Sequence, residues 1–171
     1  MELKKEKYLE YFEKSEALLK AADHMIYITF PLIKENRLLK KIIENIGEGA
    51  FNIIMSVLEH EQLYKRADIS QDLKVNIEVF KRCSRRFNIT AEETETILKV
   101  LEISEKHRES PFEFIRKDKL VMMSDNLKTE SIDLEQLKRY MNIIKSIMFK
   151  VKAIYDEKKE YEFSQRSKFR Q

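Results

Sequence analysis

Four basic side chains crowd one short segment, "FKRCSRRFN": Lys81, Arg82, Arg85 and Arg86. In a helix, positions i, i+1, i+4 and i+5 share one face. Like charges that close repel unless carboxylates or phosphates answer them. Two readings follow. One is a solvated face neutralised by Glu78 and other acids. The other is a surface for the backbone of RNA or DNA, because guanidinium groups grip phosphate in a bidentate fork. An acidic protein would satisfy the same charges. Arg116, Lys117 and Lys119, further along the chain, extend the candidate set. Cys83 lies inside the cluster, where neighbouring positive charge favours a thiolate. Phe80, Cys83, Ser84 and Phe87 share the opposite helix face, however, and that favours a packed, inert thiol.

Other chemistry finds less support. Asp23 and His24 are adjacent, so on a helix they do not face each other. His60 stands between Glu59 and Glu61, without the Glu-x-x-His spacing of a di-iron bundle or the second histidine of a zinc protease helix. A meeting of His24, Glu44 and His60 in space stays open. "IGEG", with Gly47 and Gly49, has neither the lysine nor the preceding strand of a phosphate loop. There is no Gly-x-Ser-x-Gly element and no Gly-rich nucleotide loop. The residues call for no metal and no organic cofactor.

The elements that must position these residues read as helices. The chain has 171 residues, with two glycines and two prolines. Turn-rich β and α/β folds consume more of both, so the expected class is all-α: a single-domain bundle of about five helices. A first helix is predicted over 4–29, ended or kinked by Pro31. A second spans 36–66. The two glycines inside it each cost about 1 kcal/mol against alanine, which close approach of a neighbouring helix would offset. A third covers 70–87. "TAEE" is a capping box, Thr90 with Glu93, and starts a fourth over 91–107. The last runs over 133–163 with a seam of Leu134, Leu137, Met141, Ile144, Ile147, Met148, Val151, Ile154 and Tyr155. The bundle domain is 1–163, and 164–171, "SQRSKFRQ", reads as a frayed, disordered basic tail without core pattern.

Between the last two helices, 110–126 reads as a short capped connector. Ser110, Pro111 and Glu113 fit a capping box with proline at the first helical position, which predicts a helical turn from Pro111 to Arg116. "LVMM" is open to an extended reading, and "SDN" turns the chain.

The pattern His107, Ser110, Pro111, Glu113, Phe114, Arg116, Lys117, Asp118, Lys119, Val121 resembles a family of uncharacterised archaeal helical proteins. "ADHMIYITFPL" and "LLKKIIENI" are similar to it too. The resemblance implies an intracellular archaeal protein and brings no activity with it. Long helices of this kind also resemble the HEPN class in architecture. The Arg and His signature of HEPN nucleases is absent, as none of His24, His60 or His107 has an arginine at the required distance before it.

Thirty-three Lys and Arg stand against 30 Asp and Glu, for a net charge of +3. That permits an acidic partner without demanding one. The single cysteine favours a reducing, cytoplasmic setting. The charged start "MELKKEKYLE" does not fit a signal peptide, and no apolar run approaches the ~20 residues of a membrane span. The functional expectation is a non-catalytic helical interaction protein contacting nucleic acid through a basic helix face. A HEPN-like enzyme and a purely structural, homo-oligomerising bundle are the alternatives.

Overall fold

The computed structural model describes residues 6–168, with side chains as far as residue 165. Among these residues are five helices and one small sheet. Helix α1 (Lys7–His24) passes through a π-helical turn, Met25–Thr29, and a last turn, Phe30–Ile33. Pro31 follows the π-helical turn directly, with Thr29 and Phe30 still helical, so it deforms the helix instead of ending it. The remaining helices are α2 (Leu38–Leu63), α3 (Leu73–Cys83, followed by a 3-10 turn Ser84–Phe87), α4 (Ala91–Glu109) and α5 (Leu134–Lys168). The last runs past its predicted end at Phe163, and 169–171 of the predicted tail lie outside the described residues. No helix among the described residues is long and apolar enough to cross a membrane.

Helix α2 is central. Every residue from Asn52 to Glu61 is buried, as expected of a helix covered all round. Helices α1 and α4 are its main neighbours, and the glycines explain how they come close. A β-carbon at Gly47 would lie 2.3 Å from Ser104 Cβ on α4, and one at Gly49 would lie 2.8 Å from Leu19 on α1. Two residues apart on a helix is about 200° of rotation, so the glycines open opposite sides of α2. Ser15 of α1 donates to the Gly49 carbonyl at 2.7 Å.

The capping box at Thr90 and Glu93 forms reciprocally, at 3.1 and 2.8 Å. Glu93 also accepts from Ser146 and Lys150, tying the start of α4 to α5. A second reciprocal cap, Asp133 with Gln136, starts α5. The α5 seam is answered inside the chain: Leu137, Met141, Ile144, Ile147, Val151 and Tyr155 are all buried.

The expected all-α class needs one correction. Residues 112–133 form a three-stranded antiparallel sheet in the order β1 (Phe112–Arg116), β2 (Lys119–Met123), β3 (Thr129–Asp133). The predicted helical turn from Pro111 to Arg116 is therefore a strand, and Ser110 is no N-cap. Its hydroxyl instead bonds the Phe112 carbonyl and the Met123 backbone, pinning the end of the β1–β2 ladder. The strand wins because Phe112, Phe114 and Val121 alternate with Glu113, Leu120 and Met122 at period two. Glu113 is also taken: it hydrogen-bonds His107 at 2.6 Å and pairs with Lys40 at 3.2 Å, so it caps nothing. "LVMM" is extended, as the absence of helical alternation permits. Lys117 and Asp118 both have positive φ, 49° and 61°, which closes β1–β2 as a two-residue type I′ hairpin.

Candidate nucleic-acid interface

Where α2 ends, Glu61 is fully buried, yet two arginines reach it. Arg66 binds it through Nε at 3.1 Å and Nη2 at 2.8 Å, and Arg86 through Nη1 at 2.5 Å. Burial pushes the Glu61 carboxyl up, but the hydrogen bonds from Arg66 and Arg86 outweigh it and hold the group below the ordinary carboxylate value. An ionised carboxylate thus sits behind two guanidinium groups and fixes their direction. Arg86 is half exposed in this arrangement.

A cleft of about 590 Å³ opens in front of the pair. Arg66, Arg82 and Arg86 line it, with Ser70, Asp68 and Cys83. Asn76 holds its far wall by exchanging two hydrogen bonds with the Ser70 backbone, at 2.8 and 2.9 Å. Three arginines against Asp68 and the buried Glu61 leave one positive charge in excess. Lys81 is paired with Glu78 at 2.7 Å. Arg82 and Arg85 are exposed, and among the described residues neither has an ion-pair partner. Burial, helped by Glu61, raises the Cys83 thiol above its ordinary pKa, so it packs as a protonated side chain.

The histidines separate. His60 is buried among the rings of Tyr8, Tyr64, Phe87 and Tyr155, at centroid distances of 4.9 to 5.6 Å. Burial and the nearby Lys158 lower its pKa to about 4. His24 is exposed, within 3.3 Å of the Thr29 hydroxyl. Glu44 meets neither. It lies 16 residues before His60 on the same helix, about 24 Å along the axis, and bonds His107 at 3.1 Å. His107 is held between Glu44 and Glu113, and so ties the sheet to α2 and α4.

Arg116, Lys117 and Lys119 sit at the β1–β2 hairpin, where Asp118 accepts from Asn36 just before α2. Lys119 pairs with Asp133 at 3.6 Å. From Asn36 to Glu61 is 25 residues, about 38 Å of helix. The expected extension of one basic surface is therefore two basic regions at opposite ends of α2. Sequence reading missed Arg66 and Glu61. Glu61 stands in the polar stretch Glu59, His60, Glu61, Gln62, where nothing marks it as buried and nothing local connects it to Arg86. Compared with known proteins, the chain matches no protein family, no curated protein and no solved structure.

Proposed function

We propose that the protein is a non-catalytic binding protein that contacts the phosphate backbone of a nucleic acid where α2 and α3 end, through Arg66, Arg82, Arg85 and Arg86. One observation carries this: the buried Glu61 locks Arg66 and Arg86 beside Arg82, which has no acid of its own among the described residues. A guanidinium has five donors, so each locked arginine keeps donors for a second anion. Because the side chains are already held, less rotamer freedom is lost when that anion binds. The non-catalytic reading draws on the state of the cysteine and of two histidines of the chain. Cys83 is kept protonated, His60 is enclosed by rings, and both ring nitrogens of His107 are engaged by carboxylates.

The test is titration of labelled RNA and DNA at two salt concentrations. Arg82→Ala combined with Arg85→Ala should lower affinity and flatten the log–log salt dependence by about 0.7 per lost phosphate contact on a single strand, or about 0.9 on duplex DNA. Both residues are exposed and without an ion pair among the described residues, so thermal unfolding should be unchanged. Absence of binding at low salt, or binding indifferent to the double variant, overturns the reading.

A further inference from the structure

The solvent face of the sheet combines aromatic and basic side chains in a way the fold does not need. The strand register puts three rows on that face: Phe112, Met123 and Thr129; Phe114, Val121 and Ser131; Arg116, Lys119 and Asp133. The opposite face holds the buried Leu120, Met122 and Ile132, and sends Glu113 and Glu130 to partners on α2 and α4. Antiparallel sheets with one wet face normally alternate apolar and polar residues. Here two of the three outward rows are led by phenylalanine. Phe112 is 58% exposed, and its ring centroid lies 5.8 Å from that of Phe114. The third row is basic. Asp133 is committed to Lys119 and to the amide of Gln136, while Arg116 has no ion-pair partner among the described residues.

We propose that this face is a stacking platform for unpaired bases of a single-stranded nucleic acid, with Phe112 and Phe114 under the bases and Arg116, Lys117 and Lys119 along the backbone. The inference rests on the nucleic-acid reading above and narrows it to single strands. Phenyl rings accept any base because every base has a π-face. An adjoining basic row tracks the phosphates, so one ligand satisfies both halves of the face. A duplex satisfies only the basic half, since its bases are stacked within it. A second copy of this chain would cover the rings, yet its matching face brings no excess of acid to answer the basic row.

The experiment compares a labelled oligothymidine with a duplex of the same length, at two salt concentrations. Phe112→Leu combined with Phe114→Leu keeps apolar side chains but removes the π-faces. It should weaken oligothymidine binding by roughly 5- to 150-fold for each ring, leave duplex binding unchanged and leave the salt slope intact. Phe112→Tyr with Phe114→Tyr should restore binding. The chain has no tryptophan, so Phe112→Trp supplies a single fluorophore on an already exposed position, and bound oligothymidine should quench it. Binding that persists unaltered in the leucine variant, with no quenching, overturns the platform while leaving the arginine reading in place. Loss of all binding in the unmodified protein overturns both. A dimer in sedimentation that dissociates in the leucine variant assigns the face to a second copy and overturns the platform as well.

Discussion

Replacing Gly47 with alanine tests the packing around the central helix most directly. Alanine alone favours the helix by about 1 kcal/mol, so propensity predicts a more stable protein. The geometry predicts the reverse. The new methyl would stand 2.1 Å from Ser104 Oγ and 2.3 Å from Ser104 Cβ. The hydroxyl can rotate away, but the β-carbon moves only with the α4 backbone. To reach 3.4 Å, where ordinary contact begins, it must recede by 1.1 Å. Overpacking costs about 1–3 kcal/mol, and a 1.1 Å shift demanded of a backbone-anchored β-carbon falls in the upper part of that range, about 2–3 kcal/mol. After the gain in propensity, a net loss of about 1–2 kcal/mol remains, and Tm should fall by roughly 2–8 °C for a chain of this size. Gly49→Ala should be milder, because its methyl meets the side chain of Leu19, at 2.8 and 2.9 Å, rather than a β-carbon. Thermal and urea unfolding followed by circular dichroism measures both. Ser104→Gly removes the opposing β-carbon, so in the Gly47→Ala background it should cost less than the roughly 0.5 kcal/mol of helix propensity it costs alone, or even stabilise. A coupling of about 0.5–3 kcal/mol is the expected result. Strict additivity, or a Gly47→Ala protein as stable as the original, refutes the close-approach argument.

Ser110→Ala should destabilise the protein by about 0.5–1.5 kcal/mol, because its hydroxyl joins β1 to β2. Hydrogen exchange at Met123, whose amide donates to that hydroxyl, should speed up, and an unchanged rate would remove Ser110 from the ladder. Acid sensitivity should begin with His60. Its folded pKa of about 4 lies below the ordinary 6.5, so between these values the unfolded chain holds a proton that the folded chain does not. The contribution is complete above 6.5 and is lost as the pH falls toward 4, on the order of 1–3 kcal/mol in all. Glu61, with its lowered pKa, adds its own loss at more acidic pH. His60→Phe should narrow the gap between urea midpoints measured at about pH 7 and about pH 5, and an equal gap in both proteins would sink the assignment.

The helices were legible because their signals are local. The Thr90 and Glu93 box and the paired glycines each lie within a few residues, the α5 seam repeats at three- and four-residue spacing, and all three appear in the structure as read. The sheet was hidden by the absence of glycine. Few glycines imply few sharp turns, but six non-glycine residues do that work with positive φ: Lys34, Lys65, Asn88, Lys117, Asp118 and Leu127. The Lys117–Asp118 hairpin closes without the Asn-Gly or Asp-Gly pair that marks such turns in sequence. Ser110, Pro111 and Glu113 imitated a capping box because a polar residue, a proline and an acid suit a strand entry too. His107 and Lys40 on neighbouring helices decided between the two, and no local pattern contains them.

The basic cluster shows the same limit in its electrostatics. A regular helix advances 100° per residue, which places Arg82 and Arg86 within about 40° of each other on one face. The chain tightens to a 3-10 turn at Ser84–Phe87, where each residue advances about 120°. Arg86 is thereby carried about 40° further round the axis. There it meets Glu61, 25 residues earlier in the chain. Four cations that look equivalent by spacing become three kinds. Lys81 is neutralised within its own helix, Arg86 is bound to a buried acid, and Arg82 and Arg85 are left facing solvent. Arg82 and Arg85 can be removed without disturbing the fold, and unlike Lys81 they have no acid among the described residues to answer them. Removing Arg86 would leave Glu61 with Arg66 alone, and a loss of binding in that variant would confound a weakened site with a loosened bundle end. Arg82 and Arg85 are therefore the pair through which the phosphate contact is read cleanly.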